Sequence, residues 1–151
     1  MIKPAILKQQ VLLEDIDEAG LESIAKIVKK LSFKKGEYLF KEKEETKGLY
    51  LIHSGKVEIS KVTPDEWKQT LAILGTGHFL GELSILEKRR HEANAVALEN
   101  TEIFLIPKED FEKMEKENLV LAVKITKKML LIICKNLRRM NEKFLGMLIS
   151  Y

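Results

Sequence analysis

Apolar residues change their period twice along this chain, and the changes divide it into three parts. At the start, Ile6, Leu7, Val11, Leu12 and Leu13 fall at roughly helical spacing. Leu21, Ile24, Ala25 and Val28 then recur three and four residues apart, ahead of Lys29-Lys30. That pattern predicts one or two short helices within residues 1–32. Beyond this the helical period is lost, and short runs of strand formers replace it: Tyr38-Leu39-Phe40, Leu49-Tyr50-Leu51-Ile52, Lys56-Val57-Glu58-Ile59 and residues 69–74. Six glycines, at 36, 48, 55, 75, 77 and 81, punctuate this stretch and supply the positive φ that tight turns need. Pro64-Asp65-Glu66 reads as a hairpin tip, with Trp67 behind it partly packed. Two further strands are expected near residues 94–98 and 102–106. Many short strands joined by tight turns close most naturally into a small antiparallel roll or jelly roll.

The period changes again at Pro107, which ends the last strand and opens a helix over residues 108–115 without losing a hydrogen bond. A longer helix begins at Asn118, a suitable N-cap. From Leu119 to Tyr151, through Val123, Leu130, Ile133, Leu137, Met140, Phe144 and Met147, apolar residues are separated by alternating steps of four and three, interrupted at Thr126. This is a heptad seam, and it predicts a parallel homodimer through the helix. Met129, Leu131, Ile132 and Cys134 flank the seam and are expected to face the roll, which makes Cys134 a buried, inert thiol. The predicted fold class is mainly β with flanking helices: a jelly-roll β-roll, a double-stranded β-helix, followed by a long C-terminal helix. It forms one domain over 1–151, with helices in 1–32, the roll in 33–107 and helices in 108–151.

Composition narrows the classes. At 151 residues and 45% hydrophobic, the chain is long and apolar enough for one domain with a real core and excludes a disordered tail. Its longest apolar run, Met129 to Cys134, is six residues, against roughly 20 for a membrane span. No apolar secretory segment follows Met1-Ile2-Lys3-Pro4, and the single cysteine excludes an internal disulfide and a cysteine-based zinc site. A reduced, cytoplasmic setting is the expectation. The net charge of +3 conceals a division: residues 119–151 carry +6 and the rest −3. The basic helix is either a solvated face or a contact for an acidic partner, a nucleic acid or a membrane surface.

The segment richest in chemistry is Gly77-His78-Phe79-Leu80-Gly81-Glu82-Leu83-Ser84-Ile85-Leu86. A strand ends in glycines and a helical turn over residues 82–86 follows. Such a turn presents free backbone N–H groups and a positive dipole end to an anion, phosphate above all. Glu82 could accept a hydrogen bond from a sugar hydroxyl, or serve as an ordinary acid at a helix start.

The order of these parts carries a resemblance. Phe33-Lys34-Lys35-Gly36-Glu37-Tyr38-Leu39-Phe40, then Leu49-Tyr50-Leu51-Ile52-His53-Ser54-Gly55-Lys56-Val57, then the Gly77–Ser84 segment, then Ala93 and a long helix, resembles the cyclic nucleotide-binding domain. That module occurs in catabolite activator-type regulators, kinase regulatory subunits and cyclic nucleotide-gated channels. The resemblance implies an eight-stranded β-roll, a phosphate-binding cassette at residues 77–93, and a last helix that closes over the base and often dimerises. Residue by residue, it implies that Gly81 and Glu82 are the cassette's glycine and ribose-binding glutamate, and that Leu83 and Ser84 offer backbone N–H groups to the ligand. Nine residues after the glutamate the family places an arginine on the cyclic phosphate, followed by a small residue; here His91 and Glu92 stand there. Histidine is largely neutral at pH 7, and a carboxylate about 4 Å from a phosphate costs on the order of 4 kcal/mol at an effective dielectric near 20. Arg89 and Arg90 lie immediately upstream, where a shift of the loop could bring either guanidinium to the phosphate. Asn136 matches the position that contacts the base.

Two functions follow from the resemblance. One is a sensor of cAMP or cGMP that needs no other cofactor and signals through its last helix to a regulated partner protein not identified by the sequence. The other is a descendant that has lost the usual ligand and serves as a dimeric interaction module. The sequence ends at Tyr151, before any helix-turn-helix, so sequence-specific DNA reading is not expected. A cupin-like metal enzyme would draw on His53, His78, His91 and Glu82, but no His-x-His pair is present. Nor is there a Walker loop or nucleophile elbow, and the expectation is that the chain is not an enzyme.

Overall fold

The computed structural model describes residues 1–149; the seam position Tyr151 lies outside them. The N-terminal part holds α1 (Pro4–Leu7), a 3-10 turn (Val11–Leu13) and α2 (Glu18–Ala25), which Asp17 caps by accepting from the Gly20 N–H at 2.8 Å. Strand β1 (Lys29–Phe33) follows. Lys29 and Lys30, read as the end of a helix, instead open this strand. It pairs only with one neighbour at a sheet edge, where exposed lysines suit an edge strand.

The remaining strands are β2 (Tyr38–Phe40), β3 (Gly48–Ser54), β4 (Lys56–Val62), β5 (Lys68–Gly75), β6 (Phe79–Leu80), β7 (Asn94–Ala97) and β8 (Thr101–Pro107). They form two four-stranded sheets, β1-β8-β3-β6 and β2-β7-β4-β5, antiparallel throughout. Strands β3 and β8 explain how the molecule is layered. Tyr50 and Ile52 of β3, with Ile103 and Leu105 of β8, face the inside of the roll and meet Leu39, Phe40, Val57 and Ala95. Alternate residues Leu49, Leu51, Phe104 and Ile106 face outward, into a second core built with the helices. A strand buried on both faces reads as continuous apolar sequence, which is the pattern of Leu49-Tyr50-Leu51-Ile52.

Helix α3 (Glu82–Glu87) lies between β6 and β7, and α4 (Lys108–Glu117) and α5 (Leu119–Ile149) close the chain. Asn118 joins the last two helices, its carbonyl accepting from the Ala122 N–H at 3.0 Å. The first turns of α5 bury Leu121, Ala122, Ile125 and Met129 against the helical core, and Lys128 ties them down through Glu14 (2.6 Å) and Asp15 (2.8 Å). After Ile133 every described residue of the helix is exposed. This corrects two expectations. Cys134 and Leu131 are exposed, because they lie on the side of α5 turned away from the buried Met129, whereas Ile132 packs on the helical core as expected. Trp67 is 75% exposed: it sits at the tip of the β4–β5 hairpin, held there by its backbone pairing with Thr63. Among the described residues no helix is long and apolar enough to cross a membrane.

Candidate functional site

Strand β6 runs straight into α3 through Gly81, whose φ of 85° lies in the left-handed region. A Cβ there would stand 3.1 Å from the Gly48 carbonyl oxygen and 3.3 Å from the Tyr50 ring, so a side chain at this turn is strained and crowds its neighbours. Its consequence is to place Glu82 at the first position of α3, facing a cavity of about 550 Å³, within the range of small-molecule sites. The cavity lies between three walls. The first is the β6–α3 segment with the loop that follows it. The second is the roll, through Ile59, Ala72 and Leu74. The third is one face of α5.

All eight residues singled out from sequence line this cavity: Gly81, Glu82, Leu83, Ser84, Arg90, His91, Glu92 and Asn136. Their chemistry is uneven. Burial pushes the Glu82 carboxyl above the usual carboxylate range, with its own backbone N–H pulling the other way. His91 is 3% exposed, and its ring lies flat on Phe40 at 3.6 Å between centroids. Its Nδ1 shares a hydrogen bond of 3.1 Å with Ser84 Oγ, while its buried Nε2 has no partner among the described residues. Burial lowers the imidazole pKa, with Glu44 opposing, so the side chain is neutral near pH 7. Its backbone is pinned as well: its N–H donates to the Glu44 carbonyl at 3.0 Å, and its carbonyl accepts from the Lys43 N–H at 2.7 Å.

The two arginines of this loop are engaged locally. Arg90 donates to the Lys43 carbonyl (3.0 Å) and pairs with Glu45 (3.1 Å). Arg89 is shared by Glu87 (3.4 Å) and Glu92 (3.2 Å). Both arginines line the cavity, but neither guanidinium stands in the place of His91, which is filled by the imidazole. Glu92 is half-exposed and partly offset by Arg89, which softens the repulsion its position suggested.

Sequence reading missed part of the α5 wall: Ile132, Ile133, Lys135 and Arg139 line the cavity beside Asn136. Residues 132, 135, 136 and 139 are spaced by three, one and three, so extending one helical face from Asn136 would have found them. The histidines do not assemble a metal centre. His53 stacks on Phe104 at 4.6 Å, and among the described residues no group of three or more His, Cys, Asp or Glu could hold a metal ion.

A β-roll, a glycine-glutamate turn and a long helix walling one cavity define the class of fold. The family profile for the cyclic nucleotide-binding domain matches residues 30–118, and the chain belongs to that family. It is 33% identical over 129 residues to the anaerobic regulatory protein of Bacillus subtilis, covering 85% of this chain and 52% of that protein. It is 35% identical over 79 residues to the cyclic AMP receptor protein of Thermus thermophilus, covering 52% of this chain and 37% of that one. The chain thus spans about half the length, or less, of these two relatives. The crystal structure of the Thermus thermophilus catabolite activator protein superposes with a TM-score of 0.77 at 24% identity, over 89% of this chain and 62% of that one. That likeness confirms the antiparallel roll with flanking helices and long C-terminal helix.

Proposed function

We propose that this chain is a regulatory module that senses a cyclic nucleotide, cAMP or cGMP, in the cavity between α3 and α5 and signals to a partner through α5. The observation that carries this reading is the shared helix: Ile132, Lys135, Asn136 and Arg139 of α5 wall the cavity, while the seam residues Leu130, Leu137, Met140 and Phe144 of the same helix are exposed. A ligand that touches the first set biases where the helix sits, and any protein docked on the second set feels the change. The seam's heptad spacing and exposed apolar surface support a second copy of the chain as the first such partner. Calorimetric titration with cAMP and cGMP tests the reading. Saturable binding tighter than about a millimolar to either supports it, and weaker binding to both overturns it.

One observation favours a second reading, in which the fold has lost its usual ligand and acts as a dimeric interaction module. His91 is neutral and tucked under Phe40 where the family places its phosphate-binding arginine, so the cassette offers the phosphate no buried cation. Under that reading neither nucleotide binds, and the chain still self-associates through α5.

A further inference from the structure

His91 sits in the wall of the cavity with an incomplete set of hydrogen bonds. Phe40 covers one face of its ring. The ring edge lies against the turn into α3, with Cε1 3.8 Å from where a Cβ on Gly81 would stand. Nδ1 meets Ser84 Oγ at 3.1 Å, and Nε2 is buried with no partner among the described residues. Ser84 lines the same cavity, and its single hydroxyl proton can point one way only. With Nδ1 bare, the hydroxyl donates to the ring and shows the cavity a lone pair. With Nδ1 protonated, it accepts from the ring, and its own proton is free for an anion in the cavity. Only the imidazolium combines that direction with a positive charge.

The groups around this ring come from several elements. Burial disfavours the imidazolium, and Glu44 of the β2–β3 loop partly offsets that. Glu82 and Glu87 of α3, Glu92 of the following loop and the exposed His78 ahead of β6 line the cavity. Tyr50, whose ring approaches Gly81, stays neutral, its pKa pushed up by burial to about 12. Arg89 and Arg90 line the cavity from the loop, and Lys135 and Arg139 from α5. These four are charged throughout the neutral range, so they attract an anion equally at pH 6 and pH 8. His91 differs from them in that its charge can change when a ligand arrives.

We infer that a phosphate-bearing ligand enters this cavity together with one proton, taken up from solvent by His91. The ring becomes a cation beside the bound phosphate, and Ser84 turns its hydroxyl proton toward it. This rests on the cyclic nucleotide reading above and names the residue that makes binding depend on pH. Glu82 and Ser84 share the first turn of α3, so they can hold a hydroxyl and a phosphate that are neighbours on one sugar ring. A bound anion raises the affinity of the ring for a proton, and by linkage the proton raises the affinity for the anion. The ligand is therefore held more tightly as pH falls, by at most about tenfold per pH unit for one proton.

The test titrates cAMP, whose phosphodiester stays ionised throughout, and uncharged adenosine into the full chain at about pH 8 and about pH 6. Calorimetry in two buffers of different ionisation heat counts the protons taken up. The expected result is severalfold tighter cAMP binding at the lower pH, with net proton uptake and no such gain for adenosine. His91→Phe keeps a ring against Phe40 and should bind cAMP with no gain from acid. Glu44→Gln leaves an oxygen for the Lys41 N–H and should move the gain to lower pH, because the imidazolium loses a favourable carboxylate. Equal cAMP affinity at both pH values, or binding without proton uptake by wild type, overturns the inference and leaves the cyclic nucleotide reading standing. An equal gain for adenosine also overturns it, since the proton then does not read the phosphate. So does a gain that persists in His91→Phe, which assigns the proton to Glu82 or His78. No binding of cAMP at either pH overturns the cyclic nucleotide reading and the inference with it.

Discussion

The imidazole of His91 lies parallel to the ring of Phe40, with centroids 3.6 Å apart and planes inclined by 5°. The contact buries a titratable ring, and it has a pH signature. Burial lowers the His91 pKa in the folded protein below its ordinary value, so the unfolded chain binds the proton more readily. The stabilisation of the neutral ring is fully present above about pH 6.5 and is lost as pH falls through the lower folded value. Wild type should therefore lose thermal stability as pH falls below about 6.5. His91→Phe keeps an aromatic ring against Phe40 and removes the titration, so its melting temperature should fall less over the same window. Parallel melting profiles for the two proteins would place the acid sensitivity elsewhere.

Glu82 carries the opposite sign. Its carboxyl pKa is raised by burial, and no side-chain donor compensates the charge. The protonated form is favoured in the folded state, so the penalty for the charge is absent below the unfolded value near 4.5 and grows as pH rises through the folded one. Glu82→Gln should melt higher than wild type at pH 7, and the gain should vanish toward pH 4. The same substitution should weaken cyclic nucleotide binding, because an amide accepts a hydroxyl hydrogen bond less strongly than a carboxylate. A variant that is both less stable at pH 7 and unchanged in binding would mean that Glu82 faces the cavity without serving it. The expected exchange of stability for binding is what a site residue, as opposed to a helix cap, predicts.

These two residues also show where the sequence was legible. Gly81 and Glu82 follow a strand and open a helix, and purely local chemistry makes that readable: glycine for the left-handed turn, an acid for the helix start. The strands were legible for a similar reason, since β3 and β8 are apolar on both faces, with Gly48 and Gly55 marking the ends of β3 and Pro107 the end of β8. What His91 touches was not legible, because Phe40 lies 51 residues earlier, and only the pairing of β2 with β7 and the backbone bonds to Lys43 and Glu44 bring the two together. The orientation of α5 failed for a different reason. Its apolar residues are distributed so widely that spacing alone does not reveal which of them the body covers. Cys134 and Leu131 were accordingly assigned to the face of Met129 and Ile132, which packs on the helical core, whereas they themselves are exposed.

The turn at Gly81 is strained by any side chain. Its φ of 85° costs a non-glycine residue strain, and a Cβ would press on the Gly48 carbonyl and the Tyr50 ring. Gly81→Ala should destabilise the protein by about 1–3 kcal/mol, the range for a strained backbone position. Urea unfolding followed by far-ultraviolet circular dichroism measures this. A midpoint equal to wild type would show that α3 re-forms with a different entry, and ligand affinity would then report whether Glu82 moved with it.

Leu137 and Leu131 are almost equally exposed on α5, at 55% and 57%, yet the heptad gives them different places. Leu137 lies on the seam with Leu130, Met140 and Phe144, whereas Leu131 follows a seam residue and points away from it. A charge at an exposed position of a lone helix costs little, so in a monomer Leu137→Glu and Leu131→Glu should behave alike. In a parallel dimer the first substitution buries two facing carboxylates and the second leaves both in water. Sedimentation at micromolar concentration should then show wild type and Leu131→Glu as dimers and Leu137→Glu as a monomer. Both variants should keep their melting behaviour in the roll, because neither residue belongs to the core of the single chain. A monomeric wild type, or equal dissociation by both substitutions, would remove the seam as the dimer contact and leave the exposed apolar face of α5 to a different protein.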